Sequence, residues 1–166
     1  MTYDFKIAAP DTGTMYRDLA SALQGLTSGE PDAVANMANA AALLWETLPD
    51  LNWVGFYRNI ANETGGGELV LGPFQGRPAC IRIKFGEGVC GTAAATRQVQ
   101  RIDDVHAFPG HIACDSASAS ELVVPIMRAD GELIAVLDLD SPNSARFTAE
   151  DEAGCVKLAA ILAKVL

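Results

Sequence analysis

The chain has 166 residues, 12 basic against 21 acidic side chains for a formal net charge of −9, 49% hydrophobic residues, four cysteines and two histidines. That length suits one domain, residues 1–166, which buries most of its apolar surface without disulfide or metal staples, so disorder is excluded. The acidic excess excludes nucleic acid as a default partner, since phosphates must be met by Lys and Arg, and no segment approaches the roughly 20 apolar residues that cross a bilayer.

Residues 14–26 predict a first amphipathic helix, with Met15, Leu19, Ala22, Leu23 and Leu26 at three- and four-residue spacings. A second begins near Pro31, carries the stripe Val34, Met37, Ala41, Leu44 and Leu48, and stops at Pro49. Beyond Asp50 the apolar period falls to two, predicting strands at 53–58, 68–74, 79–85, 99–102, 122–128 and 132–140. Asp130-Gly131 marks a tight hairpin between the last two, and residues 62–67 a looser turn. Residues 91–97 have the composition of a short helix. A closing helix spans 148–166, with Glu150, Asp151 and Glu152 where the helix dipole favours negative charge. The set is an α+β domain. Residues 103–120 form a long segment without period; it holds His106, His111 and Cys114, and loops of that length usually serve binding or catalysis.

The first six residues lack the basic start and apolar stretch of a secretory signal, so a cytoplasmic location with reduced thiols is expected. Cys155 falls on the apolar stripe of the closing helix and reads as core. Cys80 shares a strand face with Arg82 and Lys84, whose charges favour a thiolate, opposite Ile81, Ile83 and Phe85. Cys90 lies between glycines at the start of the short helix, where backbone amides favour a thiolate too, and Cys114 lies on the long loop. These thiols are separated by long, unpaired spacings, unlike the short paired spacing of zinc sites, so no metal is expected and a redox relay fits better.

Strand alternation places Asp138 and Asp140 on one face, continuing Ile134 and Val136, with Glu121 opening the neighbouring strand. The group is either a strand end in solvent or a cluster whose mutual repulsion keeps one carboxyl protonated near neutrality. Trp53 and Tyr57 share a face with Gly55 between them, which either leaves room for a ligand or packs a core.

The ordered set Asn52-Trp53-Val54-Gly55-Phe56-Tyr57, Leu71-Gly72-Pro73-Phe74-Gln75-Gly76, Pro78-Ala79-Cys80, Gly88-Val89-Cys90-Gly91-Thr92-Ala93, Asp104-Val105-His106-Ala107-Phe108-Pro109-Gly110-His111-Ile112-Ala113-Cys114-Asp115, Ser120-Glu121 and Leu137-Asp138-Leu139-Asp140-Ser141-Pro142 resembles the free methionine-(R)-sulfoxide reductases, which are built on a GAF domain. The resemblance implies a GAF-like fold, with a central antiparallel sheet of about six strands flanked by N-terminal and C-terminal helices. It further implies thioredoxin-dependent reduction of free methionine-(R)-sulfoxide, without a bound cofactor, by a homodimer. Cys114 would be the nucleophile, left as a sulfenic acid, and Cys80 its direct disulfide partner, with Cys90 an alternate resolver or relay. Glu121, Asp138 and Asp140 would protonate the sulfoxide and hold the substrate ammonium, and Trp53 and Tyr57 would wall the S-methyl end. The two histidines receive no catalytic step. The rival expectation is a non-catalytic GAF sensor of a small ligand, against which the lack of an output domain in 166 residues argues.

Overall fold

The computed structural model describes residues 7, 9, 11–61, 67–109 and 117–166. Helices α1 (Thr12–Thr27) and α2 (Ala33–Thr47) precede strands β1 (Trp53–Ala61), β2 (Gly67–Gly76) and β3 (Arg82–Lys84). Helix α3 (Gly88–Thr96), strand β4 (Gln100–Ile102), a single 3-10 turn (Val105–Ala107), strands β5 (Ser120–Met127) and β6 (Leu133–Ser141), and helix α4 (Ala149–Leu162) follow. The strands form one antiparallel sheet in the order β3-β2-β1-β6-β5-β4.

Helix starts are set locally. The Asp11 carboxylate accepts from the Thr14 amide at 2.8 Å, and Asp32 accepts from Ala35 at 2.8 Å. At α4, Thr148 and Asp151 cap each other's backbone amides reciprocally. Asp151 also accepts from the Tyr16 hydroxyl at 2.8 Å and pairs with Arg146 at 3.1 Å, which joins α4 to α1 through a buried polar network.

The period of two sorts the central strands into two cores. Val54, Phe56, Leu122, Val124, Ala135, Leu137 and Leu139 face α1, α2 and α4 and meet Leu19, Leu23, Leu44, Leu158 and Leu162. On the opposite face Trp53, Tyr57, Val123 and Val136 pack with α3 through Val89, Cys90, Ala93 and Ala94. Gly91 lets α3 approach, because a side chain there would collide with the Lys84 carbonyl. The Asp130-Gly131 turn forms as expected, with Gly131 at φ 88° and the Arg128 amide bonded to the Glu132 carbonyl at 2.8 Å.

Several expectations are corrected. The third strand is Arg82–Lys84 rather than 79–85, so Cys80 precedes it, and Ile81 is 71% exposed instead of lying on an apolar face. Continuing that ladder would bring Pro73 of β2 into it, and proline has no N–H to donate. Ile134 does not continue the Val136–Asp138 face: pairing passes from Ile126↔Ala135 to Met127↔Leu133, so Ile134 is the extra residue of a bulge and packs on the helix side, while Leu133 takes its place. Val34 is half-exposed on the first turn of α2, whose buried side runs through Met37, Ala40, Ala41 and Leu44. The closing helix ends at Leu162, and the loop 103–120 contains a 3-10 turn before β5 begins at Ser120. Among the described residues no helix is long and apolar enough to cross a membrane.

Candidate active site

Strand register brings the three acids together. Val123 and Gly55 both flank Asp138, and Glu121 and Trp53 both flank Asp140, so Glu121, Asp138, Asp140 and the Trp53 ring rise from one face of β5, β6 and β1. The alternative of a strand end dissolving in water is thereby excluded for two of them. Glu121 and Asp138 are 6% and 5% exposed, and Asp140 is half-buried. Helix α3 closes this face from above and sets the Cys90 Sγ 3.9 Å from Glu121 Oε1.

This burial contrasts with that of Asp151, the third buried carboxylate among the described residues. Asp151 is matched by Arg146, whereas neither Glu121 nor Asp138 forms an ion pair among the described residues. Their ionisation responds accordingly. Burial, then the charges of Asp138 and Asp140, hold the Glu121 carboxyl well above the usual carboxylate range. Burial pushes Asp138 up to about 7, against the opposing, smaller effects of the neighbouring Cys90 thiol and Glu121 carboxyl. The second oxygen of Asp138, Oδ1, is buried without a hydrogen-bond partner. A buried acceptor left in that state costs about 1–3 kcal/mol, a cost that a donor arriving in the pocket removes.

Cys90 departs from its sequence reading. It lies in the first turn of α3, but it is 4% exposed inside the second core, and burial followed by the charges of Asp138 and Glu121 pushes its thiol well above the ordinary range. Low dielectric and three acids outweigh the helix amides, so Cys90 is a protonated thiol and a hydrogen-bond donor. Cys155 is fully buried, 3.8 Å from the Tyr16 hydroxyl and pushed up to about 12, as a core residue should be.

The aromatic wall is a stack of three. The Trp53 ring lies over Tyr57 with centroids 5.8 Å apart and over Phe74 at 5.3 Å, and its Nε1 donates to the Arg77 carbonyl at 3.1 Å. The space over Gly55 is not left for a ligand: Phe74 and the Trp53 ring itself occupy it, close enough that a Cβ would strike both. The open volume lies alongside, a small cleft lined by Trp53, Tyr57, Arg77, Pro78, Ala79, Asp138 and Asp140. Phe74, Pro78 and Ala79 occur in the family motifs but receive no role from sequence. The signal for Phe74 was its strand position opposite Gly55, legible only once the register is known.

Cys80 is half-buried and directly follows the 77–79 rim of that cleft. Cys114 and His111 lie outside the described residues. On the described flanks of their loop, Phe108 packs on the second core, and Ser118 accepts from Nδ2 of Asn52, the neighbour of Trp53 in sequence, at 3.0 Å. His106 is exposed on the 3-10 turn.

Residues 32–166 match the GAF domain family, so the sheet with its helices and the pocket on one face define a GAF domain protein. Over 151 residues the chain is 54% identical to the free methionine-R-sulfoxide reductase of Escherichia coli (strain K12), covering 91% of this chain and 88% of that one. It is 44% identical over 145 residues to the enzyme of that name from Saccharomyces cerevisiae, covering 85% and 79%. The X-ray structure of free methionine-R-sulfoxide reductase from Neisseria meningitidis in complex with its substrate superposes with a TM-score of 0.90 at 44% identity, covering 99% of this chain and 95% of that one. The chain belongs to the free methionine-R-sulfoxide reductase family.

Proposed function

We propose that this protein reduces free L-methionine-(R)-S-oxide to methionine with electrons from thioredoxin, in the cytoplasm and as a homodimer. The observation that carries the reading is the buried Glu121–Asp138 pair, one carboxyl protonated and one oxygen unsatisfied, opening beside an aromatic-walled cavity. An ionised carboxylate there complements the ammonium of a free amino acid, which a peptide-bound methionine lacks. The Trp53 stack receives the S-methyl end.

In this scheme the Cys114 thiolate attacks the sulfoxide sulfur while Glu121 gives a proton to the oxygen. The oxygen passes to Cys114 as a sulfenic acid, and methionine leaves reduced. The Cys80 thiol then attacks the sulfenic sulfur, expelling water and forming a disulfide. A dithiol of thioredoxin reduces that disulfide by exchange and becomes oxidised itself, with no bound cofactor needed. Cys90, alternate resolver by resemblance alone, remains a thiol that donates within the acid cluster.

Coupled oxidation of NADPH by thioredoxin reductase and thioredoxin tests this, with the free R epimer, the free S epimer and a peptide-bound sulfoxide supplied separately. Turnover of the free R epimer alone is expected, abolished in Cys114→Ser. Absence of turnover with that epimer, or equal rates on the peptide, sinks the reading.

A further inference from the structure

The Cys90, Glu121 and Asp138 side chains converge although their positions in the chain are far apart. One donor atom from each lies within 4.8 Å of the other two, and all three residues are buried. We propose that these three side chains form a binding site for a thiophilic divalent cation of the zinc and cadmium class, which on binding occupies the place of the substrate ammonium and inhibits the enzyme. Binding rests on geometry alone; inhibition rests on the reading of the pocket given above.

Three observations support the site. A zinc ion bonds thiolate at about 2.3 Å and carboxylate at about 2.1 Å, so a tetrahedral angle puts the two donor atoms roughly 3.6 Å apart. Cys90 Sγ and Glu121 Oε1 already stand at 3.9 Å, so this pair needs only a small contraction, and the Asp138 donor closes in from within 4.8 Å of both. Independently, Asp138 Oδ1 is a buried acceptor without a partner on a residue that also lines the cavity, so a coordination bond there displaces no internal hydrogen bond. Finally, the mixture of one sulfur with two oxygens selects among cations: thiolate favours zinc and cadmium, and magnesium or calcium would be left with too few oxygens. Three protein ligands leave a fourth position toward the cavity, where Asp140 or water completes the shell. The long sequence spacings argue against a structural zinc centre, and the proposed site is not one: the fold is complete around it without an ion.

The test uses the full chain, reduced and then freed of thiol reagent and metal. Cd²⁺ is titrated into the double variant Cys80→Ser/Cys114→Ser, in which Cys90 and Cys155 are the remaining thiols. The expected result is a thiolate-to-cadmium ultraviolet band that saturates at one equivalent, is lost when Cys90→Ser is added, and is unchanged by a large excess of Mg²⁺. Asp138→Asn, which keeps every thiol, is expected to weaken Cd²⁺ binding at least tenfold in the same background. A band that survives Cys90→Ser, an absent band in the double variant, or unaltered binding in Asp138→Asn overturns the site. Inhibition is read separately, as single-turnover methionine release from pre-reduced wild type with and without Zn²⁺. Zn²⁺ should raise the substrate concentration needed for half-maximal release, and excess substrate should reverse it. Stoichiometric binding with unaffected release overturns the inhibitory half. Failure of the metal-free protein to release methionine at all defeats the functional reading instead, and the cadmium titration still decides the site.

Discussion

Replacing Asp138 by Asn should stabilise the protein while disabling it. In the folded chain burial raises this carboxyl from its ordinary value of 3.8 to about 7, with Cys90 from α3 and Glu121 from β5 beside it and Asp140 on the same strand face. Asp138 therefore keeps its proton in the fold over a range in which the unfolded chain releases it. This contributes instability that is absent below about pH 4, grows as pH rises and is complete above about pH 7. At about 1.4 kcal/mol per decade the cost reaches about 4 kcal/mol, an upper figure because the acids share protons. The amide of Asn cannot ionise, yet its own incomplete hydrogen bonding returns about 1–3 kcal/mol. The net gain above pH 7 is about 1–3 kcal/mol, or roughly 2–12 °C in Tm for a chain of this size. Thermal melts of Asp138→Asn and wild type, followed by circular dichroism from pH 4 to pH 8 in chelator-treated buffer, measure it. The variant should be the more stable at pH 8 and lose that advantage by pH 4. A variant less stable at pH 8, or a Tm difference independent of pH, would refute the account of the buried acid cluster.

Glu121→Gln removes the proposed proton donor and should slow single-turnover methionine release by about 10²–10⁴-fold, with a much smaller change in KM; an unchanged rate assigns the proton to another group. Gly55→Ala drives a methyl group into Phe74 and the Trp53 ring, whose Cη2 lies 2.8 Å from the new Cβ, so a stability loss of about 1–3 kcal/mol by chemical denaturation and a raised KM are expected together. Cys155→Ala should lower stability by about 1–3 kcal/mol and leave kcat unchanged, because this thiol packs under Tyr16 in the helix-side core; a loss of turnover at unchanged stability contradicts that placement.

The elements were legible where one local signal dominated. Asp11, Asp32 and Thr148 cap the helices that periodicity outlined, Gly131 makes the β5–β6 turn, and alternation along β1, β5 and β6 assigns residues to two faces correctly wherever the ladder is unbroken. Misreadings fall where pairing intervenes. A bulge at Ile134 reverses that residue's side, and the missing donor of Pro73 shortens β3 and leaves Cys80 in a loop; neither effect is visible in a strand read by itself.

By itself the sequence determined the residue types of the site: thiols, three acids and an aromatic pair, together with the family motif that orders them. It also determined that Cys155 belongs to the core, because an apolar helical stripe is a local property. The tertiary structure alone decided how each group behaves. Cys90 reads as an activated thiol beside helix amides, and becomes a protonated one because β5 and β6 place two buried acids under it. Gly55 reads either as room for a ligand or as core packing, and packing is the outcome because Phe74 faces it across the β1–β2 ladder. Ionisation and free space depend on the neighbours packed around a group, and those neighbours come from strands and a helix far away in the chain.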